Sequence, residues 1–142
     1  MFQNIVVAFD SSTGGAVALR TATRLAQASG GVVHVLHIAV MDIERYAAVR
    51  LEDTDVAQQV LDTAVASVVD AGLRSEGHLA AGTASEVPGI ITETVRQVGA
   101  DLLVIAPHRR NMFTAWFTPR VSDAVTHISD IPVLLVPDGV KE

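Results

Sequence analysis

The chain has 142 residues, 49% hydrophobic and 18% charged, with a formal net charge of −6 and no cysteine. This profile fits one soluble globular domain over residues 1–142. The acidic balance argues against nucleic-acid binding, and the missing thiols exclude disulfides, iron–sulfur clusters and thiolate zinc sites.

The first predicted element is a short apolar strand, "NIVVAF", ending in the turn "DSSTGG". No basic region precedes it, and it is too short to span a membrane, so neither a signal peptide nor a membrane anchor is expected and the cytoplasm is the expected location. Gly14 and Gly15 form neither a G-x-G-x-x-G nor a Walker pattern and serve to turn the chain into a helix. That helix, "AVALRTATRLAQAS", spaces Ala18, Ala22 and Leu25 on one face and stops at Gly30 and Gly31. "VVHVLHIAV" reads as a second buried strand, and "MDIERYAAVRLED" as an irregular connection. From Thr54 a second helix carries Ala57, Val60, Leu61, Ala64, Val65 and Val68 on one side and ends at Gly72. "LRSEGHLAAG" is a weaker third strand. "SEVPGIITETVRQVG" is a third helix with Val87, Ile91, Val95 and Val98 aligned. "DLLVIA" is strand four, "RVSDAVTHIS" a short fourth helix and "PVLLVP" strand five.

Strands thus alternate with helices and are apolar throughout, the pattern of a parallel sheet covered on both faces. The implied fold class is α/β: a doubly wound, Rossmann-like five-stranded parallel sheet. Ligands in such folds bind at the carboxyl ends of the strands, where the strand order reverses. Two loops qualify, the one after strand one and the one after strand four.

The second of these loops, "PHRRNMFTAWFT", contains no glycine. No acidic residue lies between Asp101 and Asp123, so Arg109, Arg110 and Arg120 make the segment locally positive. Met112, Phe113, Trp116 and Phe117 add an apolar stretch, expected to fold back on its own domain or on a second copy. A protein partner or a small anion at the loop from Pro107 to Thr118 is the functional alternative. The histidines give weak signals. His34 and His37, three apart in one strand, face opposite sides and cannot share a metal. His78 and His127 stand apart in sequence, and no metal site is expected. With no HExxH, G-x-S-x-G or acid–base pair in the sequence, no enzyme and no catalytic residues are expected.

The ordered set "NIVVAFDSS", "GVVHVLHI", "VGADLLVIAPH" and "SDIPVLLVP" resembles the universal stress protein family over nearly the whole chain. The resemblance implies strand order 3-2-1-4-5 and a homodimer; the apolar last strand, at the sheet edge in that order, is expected to form the interface through Val133, Leu134, Leu135 and Val136. It also implies a nucleotide site drawn from Ala8, Phe9, Asp10, Ile38, Ala106, His108, Arg109, Pro119, Arg120 and Val121, with Arg110 adjacent in the loop. Many members bind ATP through three glycines and a hydroxyl residue after strand four. Ala106, Arg109 and Pro119–Arg120 stand at those positions here. Arg109 carries a Cβ where a backbone must approach phosphate, and Pro107 and Pro119 have no N–H to donate. Pro119 suits the first position of a helix capped by Thr118, which uses the donors a phosphate would need.

Asp10, the family's nucleotide-binding acid, either receives an adenine amine or ribose hydroxyl or caps the turn through the N–H groups of Ser12 or Thr13. The expected function is therefore a non-enzymatic, homodimeric stress-response or regulatory protein with a degenerate ATP loop and no required cofactor. The alternative is an adenine-nucleotide sensor that uses Asp10 and the loop arginines, with a nucleotide hydrolase the least favoured reading.

Overall fold

In the computed structural model, residues 1–9, 13–44, 47–50, 54–106, 124–127 and 129–137 are described. The chain runs β1 (Asn4–Phe9), α1 (Thr13–Ser29), β2 (Val32–Glu44), β3 (Ala47–Arg50), α2 (Thr54–Asp70) and β4 (Ser75–Thr83). A 3-10 turn, Ala84–Glu86, leads into α3 (Val87–Val98), then β5 (Leu102–Ile105) and β6 (Val133–Leu135), with residues 124–127 helical before the last strand.

Five strands are parallel and stand in the order β4-β2-β1-β5-β6, the expected 3-2-1-4-5 arrangement. β1 is buried along its middle, and its side chains alternate between two cores. Ile5 and Val7 join Val17, Ala18, Leu19, Ala22 and Ala26 of α1 and Leu61, Ala64 and Val68 of α2. Val6 and Ala8 join Leu36 and Ile38 of β2, Val87 and Ile91 of α3, and Val125. Helices therefore cover both faces, which is why the strands read as unbroken apolar runs. Each fully buried Val or Ile contributes about 1.5–3 kcal/mol.

Two expectations are corrected. Residues 41–53 are not simply an irregular connection. β2 continues to Glu44 and folds back as β3, pairing Met41 with Arg50 and Glu44 with Ala47 in antiparallel register. The alternation Met41-Asp42-Ile43-Glu44 is a period-two strand signal, and only two residues separate the paired strands. Met41 also pairs with Thr83 of β4. A strand residue has one neighbour on each side, so β3 lies on the β1 side of β2, beyond the carboxyl end of β1. In addition, Gly14 and Gly15 do not precede the first helix. They lie in the first turn of α1, which starts at Thr13. Helix ends are set by capping and tertiary packing as much as by the apolar repeat, which begins only at Ala18.

α3 ends where sequence chemistry places its stop. Gly99 takes the left-handed conformation, φ 65° and ψ 41°, and its N–H bonds back to the Arg96 carbonyl. At its other end the Glu86 carboxylate accepts the backbone N–H of Thr83 at 2.9 Å and the Thr83 hydroxyl at 3.0 Å. These bonds, the backbone one foremost, hold the Glu86 carboxyl below the ordinary carboxylate range.

Candidate functional site

The carboxyl ends of β1 and β5 lie side by side, with Val7 opposite Val104. From β1 the sheet grows through β2 on one side and β5 on the other, so the strand order reverses between them. This is where a doubly wound fold opens a crevice for ligands. The β2–β3 extension stands beyond the same end.

Of the expected site residues, Ala8 and Ile38 are fully buried in the α3-side core. Phe9 is half-buried against the opposite core. Ala106, at the exit of β5, is 3% exposed and packs in the cluster that contains Val17 and Val136. Asp10, His108, Arg109, Arg110, Pro119, Arg120 and Val121 lie outside the described residues, as do the rest of the loop from Pro107 to Thr118 and its aromatic side chains.

Sequence reasoning passed over His37. Its ring is 1% exposed, and Nδ1 lies 2.8 Å from the Phe9 carbonyl oxygen. A carbonyl only accepts, so Nδ1 carries the proton and donates it. The two rings also meet at 6.3 Å between centroids. His37 thus fixes the last residue of β1 just before the Asp10 turn. A histidine at the carboxyl end of a strand adjoining β1 was the available signal.

A second constellation lies toward the amino ends of the strands, on the face covered by α3. The β2–β4 register sets His34 opposite Glu76 and Leu36 opposite His78. His34 and His78 are therefore diagonal neighbours on one face. His34 Nδ1 is 3.2 Å from His78 Nε2 and 3.3 Å from Glu76 Oε2, while His34 Nε2 is 3.3 Å from Asn4 Oδ1. His34 is 5% exposed, His78 half-buried and Glu76 exposed. Burial pushes the His34 pKa below the ordinary histidine value; Glu76 opposes this and His78 adds to it, so a neutral ring is favoured.

At the sheet's outer edge, Leu134 and Leu135 of β6 are 36% and 43% exposed. Val133 packs partly on the α3-side core, and Val136 is buried in the other core. Among the described residues, no helix is long and apolar enough to cross a membrane.

A sequence model of the universal stress protein family matches residues 1–137. The chain belongs to the universal stress protein family. No curated protein matches it in sequence. A universal stress protein from Archaeoglobus fulgidus is similar in structure, with a TM-score of 0.70 at 25% identity, covering 95% of this chain and 98% of that one. A structure of the universal stress protein from Archaeoglobus fulgidus in complex with dAMP gives 0.67 at 25% identity, covering 94% and 97%. A family protein from Burkholderia pseudomallei gives 0.72 at 22% identity, covering 96% of each chain.

Proposed function

We propose that this protein is a non-enzymatic, regulatory member of its family, acting in the cytoplasm as a homodimer in a stress response, with ATP binding weak or absent. The observation that carries this reading is Ala106. At the position of the family's first loop glycine, a buried methyl group packs into the core, where a glycine would leave backbone free to approach phosphate. Arg109, Pro119 and Arg120 replace the remaining glycines and the hydroxyl residue. Each donor lost to a charged group costs about 1.5–3 kcal/mol. A micromolar site is worth about 8 kcal/mol, so several losses remove it.

The exposed Leu134 and Leu135 on β6 support the dimer. Two copies of such an edge laid antiparallel would satisfy each other's backbone groups and cover these side chains. The loop from Pro107 to Thr118 is then the surface for a protein partner or a small anion.

The dAMP complex of the Archaeoglobus fulgidus relative favours a second reading, an adenine-nucleotide sensor. In it Asp10 accepts from the adenine or ribose, and Arg109 and Arg120 grip phosphate oxygens in place of backbone donors. The ultraviolet spectrum of freshly purified protein separates the two. A plain protein spectrum accords with the degenerate loop, and a superimposed nucleotide band supports the sensor.

A further inference from the structure

We propose that His34, His78 and Glu76 form a binding site for a divalent transition-metal ion of the zinc class, at the end of the sheet away from the candidate nucleotide crevice. The ligand atoms are His34 Nδ1, His78 Nε2 and a Glu76 carboxylate oxygen, with a fourth position left for water. One nitrogen of each imidazole and one carboxylate oxygen lie within 4.8 Å of one another. The His34 Nδ1–His78 Nε2 and His34 Nδ1–Glu76 Oε2 separations are 3.2 and 3.3 Å. Tetrahedral zinc with bonds of about 2.0–2.1 Å places its ligand atoms about 3.3 Å apart, so two edges of the tetrahedron are already present. The third closes by rotation of the Glu76 side chain, which is 65% exposed. Two imidazoles, a carboxylate and a water make a donor set suited to zinc.

The second observation is on the far side of the His34 ring. A metal-bound histidine characteristically donates its other N–H to an oxygen that fixes ring and tautomer. His34 Nε2 faces Asn4 Oδ1 at 3.3 Å, so Nε2 takes the proton and the Nδ1 lone pair points at His78 and Glu76. Asn4 is itself held by its backbone, which bonds to Asp101. Without a cation, a His34 ring that carries its proton on Nε2 leaves the Nδ1 lone pair beside both the His78 nitrogen and the Glu76 carboxylate oxygen. With a cation, the three ligand atoms share one positive centre. On binding, neutral His78 moves its single proton from Nε2 to Nδ1 by exchange with solvent, which frees the Nε2 lone pair for the ion. Such a site joins the edge strand β4 to β2, so metal binding stiffens this edge of the sheet.

The test uses the full chain, stripped with chelator and titrated with zinc chloride alone by calorimetry. The expected result is one ion per chain with a Kd of about 10 μM or tighter. His78→Ala and Glu76→Gln change exposed or half-buried positions, and each should weaken binding roughly tenfold or more. Asn4→Ala, which removes only the orienting oxygen, should weaken it about tenfold. His127→Ala, an exposed histidine elsewhere, should leave it unchanged. Cobalt(II) in place of zinc should show the visible absorption of a tetrahedral site, and zinc should raise the melting temperature of the parent chain but not of His78→Ala. Wild-type binding weaker than about 100 μM, or binding that survives both His78→Ala and Glu76→Gln unchanged, overturns the proposal.

Discussion

Asp101 and Asn4 hold each other at the start of the sheet: the Asn4 N–H donates to Asp101 Oδ1 at 3.1 Å, and the Asp101 N–H donates to the Asn4 carbonyl at 2.9 Å. The other carboxylate oxygen accepts the Gln3 N–H at 2.9 Å. One side chain thus ties the consecutive amides of Gln3 and Asn4, at the start of β1, to the entrance of β5. This gives "GAD" before the fourth parallel strand a structural purpose. Asp101→Ala should lower stability by about 1.5–3 kcal/mol, the worth of charge-assisted hydrogen bonds, measured by urea unfolding. An unchanged midpoint would show the clamp to be energetically idle.

Gly31 supports the same end of the sheet from β2's side. A Cβ there would press on the Phe2 carbonyl oxygen and stand 3.0 Å from that of Gln3. The obstacles are backbone atoms, and the Gln3 carbonyl already accepts the Val32 N–H at 2.9 Å. Gly31→Ala should therefore cost about 1–3 kcal/mol by overpacking, read as a lower melting temperature. Gly89→Ala, where a Cβ meets nothing within 4 Å, serves as the helix control and should be neutral or stabilising.

Glu86 gives the fold an acid-sensitive point. Its pKa is lowered in the folded chain, first by the Thr83 N–H and then by the Thr83 hydroxyl. The unfolded chain therefore takes up the proton first as pH falls. The stabilisation is fully present above the ordinary carboxylate range and is lost as pH drops through the folded value. Glu86→Gln should be less stable than the parent near neutral pH, and the difference should shrink on acidification to about pH 3. A difference independent of pH would contradict a role for the charge.

The β6 edge predicts the assembly. Sedimentation should give twice the 15.0 kDa chain mass, and Leu134→Arg should yield monomer or aggregate. If that variant remains a normal dimer, the interface lies elsewhere.

Most of the fold was legible because it rests on local signals. The apolar runs at 4–9 and 102–105, the helical spacing of 57–68 and the Gly72 stop all match elements of the structure. The β2–β3 hairpin was missed because Asp42, Glu44 and Arg50 make the stretch look polar, although its period is two. The crevice end of the sheet followed from topology, the loop arginines were singled out by their charge, and Asp10 by the family resemblance. His37 was set aside because nothing in sequence joins it to Phe9, 28 residues earlier. The His34, His78 and Glu76 group depends on a β2–β4 register that brings together histidines 44 residues apart. Comparing histidines within one strand could not reveal it.

The loop after β5 separates the two functional readings. Calorimetric titration of the purified full chain with Mg-ATP tests it most directly. Ala106, Arg109, Pro119 and Arg120 at the family's glycine and hydroxyl positions predict no affinity better than about 100 μM, equivalent to about 5.5 kcal/mol. A dissociation constant in the low-micromolar range would contradict the degenerate-loop reading and establish the nucleotide sensor in its place.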